Sequence, residues 1–276
     1  MRVEKVSLNR INKESTAYME VYVQEESEFL YIKKRPLILQ FPGGGYNHVS
    51  EREGFPVALT LSSWGYNVAV VHYSVSPATH PAQYLEAFEA LDFLIKHSNE
   101  YNIDTEKISV CGFSAGGHLA ALVATGYNDE FILRTFNVKK DYFKIEAMIL
   151  AYPVITGGEF AHRGSFDCLL GMDSENTEKA KEFSIENRVT KDTPKAFIWS
   201  TFEDETVPCE NSFLLATRLR EEHIPFELHI FDGGSHGLSL ANGLTMPATG
   251  GCLNKECEEW THLLKNWLYK NVPVVV

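Results

Sequence analysis

The stretch that decides the fold is KISVCGFSAGGHLAALVATG, residues 107–126. It opens with an apolar run typical of a buried β-strand and continues with the alanine- and leucine-rich composition of a helix. Between the two, GFSAG matches G-x-S-x-G, the pattern of a serine held on a sharp strand-to-helix turn. The small residues after Ser114 allow the helix to pack closely against the strands. The sequence therefore predicts Ser114 as a nucleophile on a strand–turn–helix elbow.

Further strands and helices alternate on both sides of this elbow. Continuous apolar runs, typical of strands covered on both faces, occur at 35–41, 66–73, 144–153, 195–202 and 225–231, and a half-exposed strand is indicated at 17–24. Amphipathic helices are indicated at 81–98, 209–223 and 257–270. This alternation predicts an α/β fold with a mostly parallel central sheet and helices on both faces.

One segment interrupts the alternation. Residues 154–192 are polar, contain several glycines and have little strand character. Insertions near the carboxyl ends of parallel strands usually shape the ligand site. No linker rich in Pro, Gly or Ser divides the chain, so we expect residues 1–276 to form one domain with a cap-like insertion at about 154–192.

Composition excludes several classes of function. With 25 Lys and Arg against 37 Asp and Glu, the net charge is −12, which is unsuited to nucleic acid or anionic membranes. A small molecule is the better partner. The start MRVEKVSLNR has no apolar signal-peptide core, and no apolar run is long enough to span a bilayer. The five cysteines are scattered along the chain, as is typical of reduced thiols in a reducing compartment. They do not form the two closely spaced pairs that a structural zinc site needs. We expect a cytoplasmic protein without metal or organic cofactor.

A second G-x-S-x-G match, GGSHG at 233–237, raises the question of which serine attacks. The segment after Ser235 is rich in Gly and Pro and is not typical of a packed helix, so Ser235 is rejected as the nucleophile. A serine needs a base within hydrogen-bond reach. In this fold class the base follows the last strand, which points to His236. We expect His118, four residues after Ser114, to pack or to hydrogen-bond, while His72 remains a second histidine that could approach the site.

The acid must orient the base and stabilise its charged form. The strand KAFIWSTF ends in three carboxylates, of which Asp204 is the best candidate because DETVP leads directly into the next helix. Glu203 is the alternative. Asp232 lies in the loop of the base, where we expect it to cap a turn.

The oxyanion of an acyl-transfer reaction needs backbone donors. Three consecutive glycines in PGGGY follow the early apolar strand, and we predict that the amides of Gly43 and Gly44 act with the amide of Ala115. Gly45 is a weaker candidate. The alternative is an ordinary flexible loop.

In their order, PGGGY, GFSAGGHLAA, DETVP and GGSHG resemble the α/β-hydrolase superfamily, and within it the acetyl esterase/lipase-like carboxylesterases that include acetyl-xylan and other carbohydrate esterases. The resemblance extends from about residue 17 to 270 and implies a triad of Ser114, Asp204 and His236. Pro42 stands where the lipase motif has His. That His would brace the glycine loop, so the support of this loop is in doubt.

The resemblance implies a serine esterase that acts on small acyl esters, with acetyl esters of sugars as the first choice, through an acyl-enzyme on Ser114. The same triad could serve an amidase, a peptidase or a formamidase. A catalytically inert binding protein on the same scaffold is a third alternative, against which the intact triad argues. The oligomeric state, monomer or homodimer, is left open.

Overall fold

The computed structural model describes residues 1–174 and 176–274. Its strands, in chain order, are β1 (Arg2–Ser7), β2 (Tyr18–Val23), β3 (Arg35–Phe41), β4 (Asn67–His72), β5 (Ile103–Phe113), β6 (Ala147–Ala151), β7 (Lys195–Thr201) and β8 (Phe226–Phe231). Its α-helices are α1 (Phe55–Ser63), α2 (Ala82–Lys96), α3 (Ala115–Gly126), α4 (Glu130–Phe136), α5 (Arg163–Leu170), α6 (Thr177–Glu182), α7 (Glu210–Glu221), α8 (Lys255–Glu258) and α9 (Trp260–Asn271).

The strands form one eight-stranded sheet in the order β1-β2-β4-β3-β5-β6-β7-β8. Strand β2 pairs antiparallel with β1 and with β4, and every pair from β4 through β8 is parallel. Parallel neighbours need a crossover connection, which the helices between them supply. The predicted α/β fold with a mostly parallel sheet is confirmed.

Alternate residues of each central strand enter different halves of the core. In β3, Leu37 and Leu39 pack on one face with helices α2, α3 and α7, while Ile38 packs on the other with α1 and α9. In β7, Ile198 and Trp199 divide in the same way. Because both faces are covered by helices, the strands are apolar at consecutive positions, which is the pattern that identified them in the sequence.

The structure differs from the sequence-based expectations in several elements. Strand β1 was not predicted, because its RVEKVS sequence carries charges on an edge strand whose residues are all at least partly exposed. Helix α1 was also missed. The helix expected at 257–270 begins earlier and is divided at Glu259 into α8 and α9.

The insertion between β6 and β7 carries helices α5 and α6 and lies against the elbow helix. The buried His118 ring of α3 contacts Phe183 O of the insertion through Nε2 at 2.7 Å. A second contact joins the insertion to the segment before α2, where His80 N donates to Leu169 O at 2.8 Å. These hydrogen bonds hold the insertion beside the carboxyl end of the sheet.

The longest helix in residues 1–174 and 176–274 is α2, with 15 residues. None of the helices in that part of the chain combines the length and the apolar character needed to cross a bilayer.

Candidate active site

Ser114 lies between β5 and α3, at the carboxyl edge of the sheet, in a backbone conformation that is rare for a residue with a side chain. Its φ is 53° and its ψ is −122°. The turn is held by three backbone hydrogen bonds: Ser114 N donates to Ala151 O at 3.0 Å, and Ser114 O accepts from His118 N and Val154 N, each at 3.1 Å. Such strain persists only where the surroundings fix it, and it presents the hydroxyl at the start of a helix.

The two glycines of GFSAG are required by close backbone approaches. A Cβ at Gly112 would lie 2.2 Å from Gly116 O, and a Cβ at Gly116 would lie 2.2 Å from Phe41 O and 2.3 Å from Pro42 O. The elbow helix therefore begins in contact with the end of β3. This contact places Ser114 beside the glycine loop that follows β3.

His236 and Asp204 complete a chain of hydrogen bonds with Ser114. The His236 Nε2 atom lies 2.8 Å from Ser114 Oγ, and Nδ1 lies 2.6 Å from Asp204 Oδ2. The Asp204 side chain is fully buried, and its Oδ1 accepts from the amides of Thr206 at 3.0 Å and Val207 at 2.9 Å. With the Nδ1 proton directed to Asp204, Nε2 is free to accept the serine proton.

The loop after β8 carries His236 into the site, and the neighbouring candidates take other roles. Glu203, the alternative acid, accepts from the amide of Gly234 at 3.2 Å and so supports the loop of His236. Ser235 takes no part in the hydrogen-bonded chain of Ser114, His236 and Asp204. The second G-x-S-x-G match therefore marks the loop that carries the base.

The predicted oxyanion donors are only partly available. Among the described residues, no acceptor is bound to the amides of Gly44 and Ala115, and Gly44 lines the cavity in front of Ser114. The prediction is wrong for Gly43, because its amide donates to the buried Glu53 Oε2 at 2.8 Å. Gly45 also lines the cavity. Gly44 and Ala115 are the two predicted donors that can serve an oxyanion.

The support expected to be missing at Pro42 comes from other residues. Tyr73 Oη donates to Pro42 O at 2.7 Å, and Glu53 holds the amide of the next residue, Gly43. Neither residue belongs to the PGGGY motif. The loop is therefore braced without the His of the lipase pattern.

Glu53 also connects the glycine loop to the loop of the base. Its Oε1 accepts from Tyr152 Oη at 2.7 Å, and Tyr152 Oη accepts from Ser239 N at 2.9 Å. Burial, followed by the Glu53 charge, raises the pKa of Tyr152 well above its usual value, so the phenol remains a donor. We call the path from the Gly43 amide through Glu53 and Tyr152 to the Ser239 amide the Glu53–Tyr152 bridge.

Arg52 adds a second connection between the same segments. Its Nε donates to Thr245 O at 2.6 Å, its Nη1 donates to Gly237 O at 3.0 Å, and its backbone oxygen accepts from Ser239 Oγ at 2.8 Å. Gly237 directly follows His236. Sequence analysis missed Arg52, Glu53 and Tyr152. The one signal for Arg52 and Glu53 was the charged ERE, separated from the glycines by five residues, and Tyr152 had no signal in the sequence.

The two histidines left open by the sequence lie apart from the chemistry. His118 is buried, contacts Tyr46 Oη through Nδ1 at 2.8 Å, and has its pKa lowered to about 4 by burial. Its predicted packing and hydrogen-bonding role is confirmed. His72 ends β4, where its ring stacks on Tyr18 with centroids 4.3 Å apart, and it does not line the cavity at Ser114.

A cavity of about 510 Å³ opens in front of Ser114 and His236. Apart from these two residues and glycines, the side chains that line it are Asn47, His48, Ser50, Arg52, Glu53, His162, Cys168 and Thr206. In the described part of the chain, no Leu, Ile, Val, Met or aromatic hydrocarbon side chain lines it. The polar side chains can hydrogen-bond a substrate, while most of the surface exposed inside the cavity is apolar.

A serine on a strained elbow, a histidine and a buried aspartate on the next loops of a parallel sheet, and free amides beside them define the α/β-hydrolase class. The chain belongs to the BD-FAE family, whose pattern matches residues 19–219.

The chain is also similar to two curated proteins and to one solved structure. Over 217 residues, 76% of this chain, it is 37% identical to an endo-1,4-beta-xylanase B of Butyrivibrio fibrisolvens, 33% of which is covered. Over 241 residues, 86% of this chain, it is 27% identical to an acetylxylan esterase of Xylanibacter ruminicola, 45% of which is covered. The crystal structure of an acetyl ester-xyloside bifunctional hydrolase from Caldicellulosiruptor lactoaceticus matches with a TM-score of 0.84 and 35% identity, covering 99% of this chain and 98% of that one.

The chain spans from a third to about half of the length of the curated relatives that it matches, with 33%, 45% and 51% of the first three covered. The fold predicted from the sequence motifs, that of an α/β-hydrolase, is confirmed by the solved structure that covers nearly the whole chain.

Proposed function

We propose that this protein is a serine carboxylic-ester hydrolase that acts on small acyl esters, above all acetyl esters of sugars. The observation that carries the proposal is the hydrogen-bonded chain from Ser114 Oγ through His236 to Asp204, with links of 2.8 and 2.6 Å. A serine so placed beside the free amides of Gly44 and Ala115 has the parts that acyl transfer requires.

The reaction begins when His236 Nε2 takes the proton of Ser114 and Oγ bonds to the carbonyl carbon of the ester. The carbonyl oxygen becomes an oxyanion, which the amides of Gly44 and Ala115 bind at the positive end of helix α3. The tetrahedral intermediate collapses, the alcohol leaves with the proton from His236, and the acyl group remains on Ser114. Water then attacks this acyl-enzyme, with His236 as base, and releases the carboxylic acid. Asp204 orients the His236 ring and stabilises its charged form in both halves.

Two observations support a small acyl group on a sugar. The cavity of about 510 Å³ has room for a sugar unit beside an acetyl group, and its lining side chains are polar. The chain is similar in sequence to a relative named as an acetylxylan esterase, and in fold to one named as an acetyl ester-xyloside hydrolase. We therefore place the acyl group at Ser114 and the sugar in the polar part of the cavity.

Acyl-chain profiling tests this proposal. We expect p-nitrophenyl acetate to be cleaved with a higher kcat/KM than the octanoate, and Ser114→Ala to abolish the activity. Ser235→Ala is the matched control, since it removes the serine of the second G-x-S-x-G match and should retain activity. A preference for octanoate would contradict the small acyl group. Matching amides should react more slowly than esters, and faster amide turnover would favour the amidase alternative.

We further propose that residues 1–276 act as one domain in which the insertion at about 154–192 caps the site, and that the enzyme works in the cytoplasm. The insertion supplies His162 to the cavity, which supports its role as a cap. Five free cysteines, three of them buried, suit a reducing compartment. Cell fractionation followed by esterase assay of each fraction tests the location.

A further inference from the structure

A second histidine, His162, faces the catalytic cavity from the insertion. It caps the N-terminus of helix α5 and lines the same cavity as Ser114 and His236. Its ring lies beside the glycine loop, with Cε1 3.9 Å from the position that a Cβ on Gly45 would take. None of the steps proposed above uses this residue.

The hydrogen bonds of His162 fix which ring nitrogen carries the proton. The backbone amide of Ser165 donates to Nδ1 at 3.3 Å, and the Ser165 hydroxyl lies 2.8 Å from the same atom. The same amide also donates to His162 O at 3.0 Å, and because an amide N–H can only donate, its contact with Nδ1 favours the neutral ring in which Nδ1 accepts and Nε2 carries the proton. Among the described residues, Nε2 has no hydrogen-bond partner. The insertion thus presents one oriented N–H donor to the cavity.

The surroundings also keep this ring neutral. Burial, and next the neighbouring His236, lower the pKa of His162, while the weaker effects of Asp204 and Asp167 raise it. A neutral ring with its proton on Nε2 cannot accept the proton of Ser114 from that side. His162 therefore does not compete with His236 as a base and can serve as a donor only.

We propose that His162 Nε2–H donates a hydrogen bond to a hydroxyl or ring oxygen of the sugar part of the substrate, and so selects sugar esters over simple alkyl or aryl esters. This proposal rests on the proposed esterase function. An acetyl group has one carbonyl acceptor, which the amides of Gly44 and Ala115 occupy during the reaction. The acceptor for His162 therefore belongs to the alcohol. An ester without such an oxygen leaves the donor unpaired when it displaces water, and a site with an unpaired polar group rejects that ester.

The test compares two substrates and three variants. The substrates are an acetylated methyl xyloside, which offers hydroxyl and ring oxygens, and p-nitrophenyl acetate, which has neither and whose only other acceptors are the weak nitro oxygens at the far side of its ring. His162→Asn keeps a side-chain oxygen that can cap α5 but has no donor at the Nε2 position. His162→Gln restores an amide donor near that position. Asp167→Ala is the control, because it removes an exposed side chain from the same helix.

We expect His162→Asn to lower kcat/KM for the xyloside acetate about 10- to 100-fold, mainly through KM, and to leave p-nitrophenyl acetate within about twofold. His162→Gln should recover part of the loss, and Asp167→Ala should match the wild type on both substrates. Equal losses on both substrates would assign His162 a merely structural role. Unchanged xyloside kinetics in His162→Asn would refute the proposal while the esterase function stands. If the wild type cleaves neither ester, the proposed function fails, and this proposal with it.

Discussion

Removing the Tyr152 hydroxyl tests whether the two loops of the site are positioned by one buried connection. In the Glu53–Tyr152 bridge, this hydroxyl donates to Glu53 at 2.7 Å and accepts from the Ser239 amide at 2.9 Å. Glu53 and Tyr152 are 3% and 2% exposed, and Ser239 is fully buried. Water therefore has little access to replace the lost partner in Tyr152→Phe.

The size of the effect follows from what is left unpaired. The substitution deprives a buried carboxylate oxygen of its donor and a buried amide of its acceptor. Each loss costs about 1–3 kcal/mol, so we expect the free energy of unfolding to fall by about 2–6 kcal/mol. The freed carboxylate no longer ties Gly43 to the loop of His236. A displacement of about 1 Å between reacting groups can lower kcat about 100-fold, so we expect a loss of 10- to 100-fold in kcat with KM nearly unchanged.

The assay measures urea unfolding and p-nitrophenyl acetate kinetics at a temperature at which the variant is fully folded. Tyr127→Phe is the matched control. It removes a hydroxyl that donates to Asp192 O at 3.1 Å near the far end of helix α3, and it should leave kcat unchanged. If Tyr152→Phe loses stability but keeps the wild-type kcat, the bridge is structural only. If it loses neither, the hydrogen bonds described here do not hold the loops.

Three further substitutions test the catalytic acid, the packing of the elbow helix and the buried His118. Asp204→Asn should lower kcat by about 10³- to 10⁴-fold without unfolding the protein, because an amide no longer fixes the Nδ1 proton of His236. A loss of less than 10-fold in steady-state kinetics would contradict the role of Asp204 as the acid. Gly116→Ala places a Cβ 2.2 Å from Phe41 O, so we expect it to destabilise the fold by about 1–3 kcal/mol. Thermal unfolding measures this loss, and an unchanged Tm would refute the close approach. His118 has its pKa lowered from 6.5 to about 4, so the unfolded chain binds the proton first and stability is lost as the pH falls from about 6.5 towards 4. By pH 5 this loss is about 2 kcal/mol, and urea unfolding at pH 7 and pH 5 should show a smaller difference for His118→Gln than for the wild type.

Much of the fold could be predicted because its strands are covered on both faces. Strand β3 has the bounds 35–41 expected from its apolar run, and β4 and β7 lie within one residue of theirs. Strand β1 could not be found in this way, since an exposed edge strand carries charges and has no apolar run. The position of the break between α8 and α9 depends on packing, which local sequence does not record.

Site residues could be predicted from the sequence where a suitable residue type lies in a recognised motif. They could not be predicted where their role depends on contacts with residues distant in the sequence. Ser114, Asp204 and His236 each follow the carboxyl end of a parallel strand within five residues, so the sheet brings them to one edge, as the motif order implies. The use of the Gly43 amide depends on Glu53, ten residues away, and on the turn that brings its carboxylate back. Tyr152 and His162 carry no motif at all. Their contacts arise from the tertiary fold alone.

The hydrogen bond between Ser114 and His236 joins positions 122 residues apart, and His236 lies in the loop after β8, the last strand of the sheet to be synthesised. At about 5–20 residues per second, a ribosome needs roughly 6–24 s to advance from one to the other. During that interval the nascent chain carries the nucleophile without its base, and β7 lacks its outer neighbour. The chain can therefore hydrolyse esters only late in translation, and a chain released before β8 is synthesised lacks the catalytic base and is inactive.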